Sequence, residues 1–176
     1  MPVYHFKVLL LGAPSVGKTS ILYRYVKNKF SLDYILTIGI NFLTKEVNVA
    51  KKNRTKLVIW DIGGQKRFKF LHKEFYEGTN GALVIFDLTR YKTFEEIEEW
   101  LEEMFEILQE EIPFIIIGNK SDLVKEISHS VDTNSVREYA EKKNSLYIET
   151  SAKTGENIIE AFHELAQRMI AHVSKK

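Results

Sequence analysis

The chain has 176 residues, 44% hydrophobic and 28% charged. At about 150 residues per domain this fits one domain over 1–176 and excludes a wholly disordered or collagen-like chain. Twenty-five Lys and Arg against 24 Asp and Glu leave a net charge of +1, which gives bulk nucleic-acid binding no support, and the lack of Cys excludes disulfides, thiol catalysis and a Cys-borne lipid anchor on these residues.

Met1-Pro2-Val3-Tyr4-His5 lacks a signal-peptide pattern, and Pro2 breaks the myristoylation pattern, so a cytoplasmic location is expected, with membrane association left open. Phe6 to Leu11 is an apolar run stopped by Gly12 and reads as a buried strand. Lys18 to Lys29 places Ile21, Leu22, Tyr25 and Val26 at helical spacing. Asn41 to Val49, a turn at Lys51-Lys52-Asn53, and Lys56 to Trp60 suggest an antiparallel hairpin. Ala82 to Phe86, Phe114 to Ile117 and Leu146 to Ile148 read as further strands with helical patterns between them. Thr93 and Glu96 have capping-box spacing ahead of a stripe through Ile97, Leu101, Met104 and Leu108. Nine Glu between Glu95 and Glu111 crowd that segment, either as a solvated face or as an acidic docking surface. The last helix carries Ile158, Phe162, Leu165 and Met169 on a stripe suited to packing on the sheet or, alternatively, to a membrane surface. The alternation predicts an α/β fold: a six-stranded, mostly parallel sheet with one antiparallel edge strand and about five helices.

Gly12-Ala13-Pro14-Ser15-Val16-Gly17-Lys18-Thr19 fits the P-loop pattern, after a strand and opening a helix. Small residues let backbone N–H groups close around phosphate oxygens, and the helix start adds positive potential. Lys18 adds a full charge, and Thr19 offers a hydroxyl to Mg²⁺, which prefers hard oxygen donors. Asp61 ends an apolar strand and is the expected acid on the Mg²⁺ side. In Gly63-Gly64-Gln65, an N–H can meet a terminal phosphate and Gln65 can hold a water in line.

Asn119-Lys120-Ser121-Asp122 follows a strand, at the sheet edge where ligands bind. Asp122 can accept from both N1–H and the exocyclic amine of guanine, and adenine offers no such pair. Ser151-Ala152-Lys153 also follows a strand, so a backbone N–H there can meet the base oxygen.

These five motifs, in order Gly12 to Thr19, Thr37, Asp61 to Gln65, Asn119 to Asp122 and Ser151 to Lys153, resemble the small GTPases of the Ras superfamily. Thr37 to Phe42, Lys56 to Asp61 and Glu149 to Gly155 resemble the Rab branch. The resemblance implies a Ras-like P-loop NTPase fold and a monomeric switch that binds GTP and GDP with Mg²⁺ and hydrolyses GTP slowly. It implies phosphate contacts from Ser15, Val16, Gly17, Lys18, Thr19 and Ser20, with Tyr34 closing over them. Thr19 and Thr37 would ligate Mg²⁺, with Asp61 acting through water. Gly64 would sense the γ-phosphate, and Gln65, Lys18 and Thr37 would carry catalysis. Phe30 and the Lys120 stem would flank guanine, Asn119 would steady the loops, Asp122 would read the base, and Ser151, Ala152 and Lys153 would form the last loop, with Ala152 donating to O6. Residues 31–42 and 61–76 would be the switches that meet effectors, exchange factors and activators. Phe42, Trp60 and Phe75 would be either an aromatic cluster read by effectors or ordinary half-buried aromatics.

Pro14 removes one backbone donor from the phosphate loop, and Ile62-Gly63 stands where the family has Thr-Ala, which predicts a looser second switch. A nucleotide-binding interaction module with little hydrolysis is the alternative. An ATP-using P-loop kinase is a further class, against which Asp122 argues.

Overall fold

The computed structural model describes residues 3–33, 37, 39–49, 53–127 and 131–176. Tyr34, Ile38 and the expected turn residues Lys51 and Lys52 lie outside them. The elements are β1 (Val3–Leu11), α1 (Lys18–Lys27), β2 (Ile40–Val49), β3 (Asn53–Ile62), a 3-10 turn (Lys66–Leu71), α2 (His72–Tyr76), β4 (Gly81–Asp87), α3 (Tyr91–Glu95), α4 (Ile97–Leu108), β5 (Phe114–Asn119), α5 (Ser121–Val124), α6 (Thr133–Lys142), β6 (Leu146–Thr150) and α7 (Ile158–Val173). The short helices α2, α3 and α5 span too few residues for a 3.6-residue period to be visible in sequence.

The six strands lie in the order β2-β3-β1-β4-β5-β6. Every pairing is parallel except β2 with β3, where Ile40 faces Ile62 and Val49 faces Asn53. The expected antiparallel edge strand is therefore β2. Central strands β4 and β5 are buried along their whole length, as a sheet covered on both faces requires.

Side-chain alternation sorts the strands onto two cores. Val8 and Leu10 of β1, Leu83 and Ile85 of β4, and Ile115 and Ile117 of β5 pack with Ile21, Leu22 and Tyr25 of α1 and with Phe162, Leu165 and Met169 of α7. Leu9 and Leu11, Ala82 and Val84, and Phe114 and Ile116 face the other way, against Trp100, Leu101 and Met104 of α4 and Val136 and Ala140 of α6. The α7 stripe thus packs on the sheet, and no helix among the described residues is long and apolar enough to cross a membrane.

Thr93 does not act as the expected capping residue. The helix begins earlier, at Tyr91, and Thr93 lies inside α3. Its hydroxyl accepts from the Asp87 N–H at 2.9 Å and donates to the Arg90 carbonyl at 2.7 Å, so it fastens the end of β4. On α4, Glu102 and Glu106 are exposed, while Glu99 pairs with Lys69 at 2.6 Å and Glu103 with the buried His72 at 2.8 Å. The acidic face is mainly solvated, and part of it ties down the segment that follows Gln65.

All five parallel strands point their carboxyl ends to one edge. The loops after β1, β3, β4, β5 and β6 therefore gather there, which is where an α/β sheet holds its ligands.

Candidate functional site

The loop after β1 runs from Gly12 into α1, whose N-cap is Gly17 with φ of 103°. A Cβ at Gly17 would stand 2.2 Å from the Asn119 side-chain nitrogen, so glycine admits both the left-handed backbone and the close approach of the loop after β5. Asn119 is buried. Its Nδ2 donates to the Val16 carbonyl at 2.9 Å, and its Oδ1 accepts from the Thr150 hydroxyl at 3.1 Å. One amide thus ties the phosphate loop, β5 and the end of β6 together.

Lys18 is buried and donates to the carbonyls of Gly12 at 2.7 Å and Ala13 at 2.8 Å. Burial lowers its ammonium pKa to about 8, with Asp61 opposing the shift and Arg90 adding to it. Thr19 and Thr37 bring their hydroxyls within 2.6 Å, and Thr19 also donates to Asp61 Oδ2. Asp61 is fully buried and its Oδ1 has no hydrogen-bond partner. Burial raises the Asp61 carboxyl above the usual range, against the opposing effects of Thr19, Lys18 and Thr37. Two hydroxyls and a carboxylate oxygen in need of a partner form a donor set that fits Mg²⁺. Among the described residues no three His, Asp or Glu side chains gather into a self-sufficient metal cage. A cation here would take phosphate oxygens as well.

Lys120 bridges the two halves of the site. Its ammonium donates to the Ser15 carbonyl at 2.8 Å and pairs with Asp87 at 2.7 Å. Asp122 accepts from the Ser151 hydroxyl at 2.7 Å, which aligns the loop after β5 with that after β6. Ser151 Oγ in turn accepts from the Thr154 N–H at 3.1 Å.

A cavity of about 1010 Å³ lies over these loops. Ser15, Gly17, Lys18, Thr19, Ser20, Phe30, Thr37, Gly64, Asn119, Lys120, Asp122, Ala152 and Lys153 line it. Val16, Asp61 and Ser151 are buried and are not among the lining residues. Gln65 is half-buried and also outside the lining, at the start of the 3-10 turn. At Ile62-Gly63, where a looser second switch is expected, the backbone is closely packed. Ile62 is buried, and the Gly63 N–H donates to the Gly39 carbonyl at 3.0 Å. A Cβ at Gly63 would come within 2.8 Å of the Thr37 carbonyl oxygen, so the missing side chain permits a tight backbone contact between the two switch segments.

Asp87 and Arg90 are parts of the site that the motifs did not include. Asp87 is buried at the end of β4, the same strand-end signal that singled out Asp61. Arg90 bonds Asp87 at 3.2 Å and the Pro14 carbonyl at 2.8 Å, so the loop that lost a donor to proline is pinned through its acceptor. Away from the cavity, Phe42 stacks on Trp60 at 5.1 Å and Trp60 meets Phe75 at 6.1 Å. Phe42 is 56% exposed, so the aromatic cluster is at the surface.

The Ras family model matches residues 7–171. Ras-related protein RABA4b of Arabidopsis thaliana is 39% identical over 173 residues, which cover 98% of this chain and 76% of the relative. Ras-related protein Rab-21 of Homo sapiens is 42% identical over 167 residues, covering 95% of this chain and 73% of the relative. The glycine-bearing loop after β1, the cluster of Thr19, Thr37 and Asp61, and the loops after β5 and β6 on one sheet edge agree with those matches, and the chain belongs to the Ras family as a Rab-like small GTPase.

Proposed function

We propose that the chain, as a single domain over 1–176, is a GTP-binding switch in trafficking-type processes that hydrolyses GTP to GDP and phosphate. The observation that carries this reading is the convergence of the phosphate loop and both base-side loops on one cavity of about 1010 Å³, large enough for a nucleotide.

Asp122 accepts from the two guanine donors, the Ala152 N–H donates to O6, and Phe30 and the Lys120 stem flank the ring. Backbone N–H groups of Ser15 to Ser20 cradle the phosphates, and Lys18 neutralises the β- and γ-phosphates. Thr19, Thr37 and Asp61 are the residues that would hold Mg²⁺. When bound, the ion neutralises charge on the phosphate oxygens. Thr37 and the Gly64 N–H respond to the γ-phosphate, so its loss releases residues 31–42 and 61–76. Gln65 orients the attacking water. Intrinsic turnover is slow, because hydrolysis rests on positioning this water and on electrostatics rather than on covalent chemistry.

The protein works as a cytoplasmic monomer. Its exposed Phe42, with Trp60 and Phe75, offers effectors, exchange factors and activators a surface that senses both switches. The nucleotide that co-purifies identifies the base, and competition of ATP against GDP tests the Asp122 reading. Single-turnover hydrolysis of GTP by Gln65→Leu tests catalysis. A clear slowing is expected, and an unchanged rate would leave only an interaction module that holds nucleotide.

A further inference from the structure

Successive carbonyls of the loop after β1 are held by side chains from other loops. Arg90 Nη2 donates to the Pro14 carbonyl at 2.8 Å, Lys120 Nζ to the Ser15 carbonyl at 2.8 Å, and Asn119 Nδ2 to the Val16 carbonyl at 2.9 Å. A carbonyl shares its peptide plane with the N–H of the residue that follows, and in a trans peptide the two point opposite ways. Holding these carbonyls therefore aims the N–H groups of Ser15, Val16 and Gly17.

The tie to Arg90 differs from the other two. Asn119 and Lys120 belong to a base-side motif, whereas Arg90 follows β4 and belongs to no motif read from the sequence. Pro14 has no N–H, so the Ser15 N–H is the first donor after it. Among the described residues that N–H meets no acceptor. Ser15 has a φ of 66°, in the left-handed region, which a residue with a side chain keeps only where its surroundings over-determine it. Here they do. Arg90 holds the peptide before the Ser15 Cα and Lys120 the peptide after it, and both cations pair with the buried Asp87, at 3.2 Å and 2.7 Å. Pro14 and Ser15 line the cavity and Arg90 does not, so the Pro14 carbonyl turns out of the cavity and the Ser15 N–H turns into it. N–H groups gathered on one side of a loop with a left-handed residue form a concave anion site.

We propose that Arg90 is a positioning residue for phosphate recognition, holding the Pro14–Ser15 peptide so that the Ser15 N–H stays aimed at a phosphate oxygen of the bound nucleotide. The proposal rests on the reading of this loop as the phosphate cradle. It gives the proline a counterpart: the loop that lost one donor has a dedicated side chain to aim the next.

The test compares two ligands in magnesium buffer: GDP, and guanosine, which keeps the base and has no phosphate. Arg90→Ala should weaken GDP binding by about tenfold, the share of one hydrogen bond to an anion, and leave guanosine binding nearly unchanged. With GDP saturating, the Ser15 amide resonance in ¹H–¹⁵N spectra should move upfield in Arg90→Ala, and that of Gly17, aimed through Asn119, should stay. Arg90→Lys keeps the charge and loses the planar fork, so it should give a smaller loss on GDP alone, and it carries the same comparison should Arg90→Ala fail to fold. Equal weakening of both ligands by either variant would overturn the proposal, since a merely structural arginine acts on both. GDP binding at native strength in either variant, or an unmoved Ser15 resonance, would overturn it as well. Should the native Ser15 resonance not differ between the guanosine and GDP complexes, the phosphate reading of the loop falls first and takes this proposal with it.

Discussion

Replacing Gly64 by alanine tests how closely the second switch must approach the phosphate loop. An added Cβ would lie 2.5 Å from the Gly12 carbonyl oxygen and 2.7 Å from both the Ala13 carbonyl carbon and the Pro14 nitrogen. All three are backbone atoms, so no side chain can turn aside. Carbon–oxygen contacts settle at about 3.3–3.6 Å, so the two segments must separate by about 1 Å. A displacement of that size at a reacting centre costs about a hundredfold in rate. Single-turnover hydrolysis of GTP by Gly64→Ala should therefore slow by about two orders of magnitude. The dissociation rate of GDP, carried by the base-side loops and Lys18, should change little. Overpacking should also lower the stability of the GTP form, in which this segment is held against the phosphate loop, by about 1–3 kcal/mol. Hydrolysis within about threefold of the native rate, which is under 1 kcal/mol of barrier, would refute the claim that this approach is tight.

Asn119→Ala strips partners from the Val16 carbonyl and the Thr150 hydroxyl. At about 1–3 kcal/mol per buried unpaired group, and about 2–4 °C per kcal/mol for a chain of this size, the melting temperature should fall by several degrees. An unchanged melt would contradict the role of this amide as the tie between the three loops. The Asp87 carboxyl supplies a pH test. Burial alone would raise its pKa, but hydrogen bonds from Lys120 and Thr89 outweigh that and hold it below the usual range. A depressed carboxylate stabilises the fold above its unfolded value and loses that effect as the pH falls through the folded one. The stability gap between native protein and Asp87→Asn, read from urea titrations, should be level near neutral pH and narrow below about pH 4. A gap that stays constant into strong acid would mean that this carboxylate contributes nothing through its charge.

Much of the fold was legible because its signals are local. Apolar runs marked five strands and partial alternation over Asn41 to Val49 the sixth, and the turn expected at Lys51-Lys52-Asn53 suggested the hairpin that places β2 on the edge. Boundaries were less legible. Val3 to His5 extend β1 by pairing with β3, ahead of the apolar run that marked the strand. Thr93 carried a capping signature that tertiary structure used differently, since Asp87 needed an acceptor for its N–H. The double glycine after Asp61 suggested freedom, and the packing of other backbones against it turned that freedom into close contact.

The sequence by itself determined the kind of chemistry. A phosphate loop, a strand-end acid and a base-reading Asp are short motifs whose residue types are dictated by the groups they meet, so they can be read without knowing what lies beside them. Tertiary structure alone decided which side chains support those motifs. Arg24 and Ala152 are 128 positions apart, Lys120 and Ser15 are 105 apart, and Asp87 meets Lys120 from the end of a different strand. An arginine on a helix or an aspartate after a strand has the same appearance in sequence whether it faces water or a distant carbonyl. Only the order of strands in the sheet, which brings five loop ends to one edge, tells the two apart.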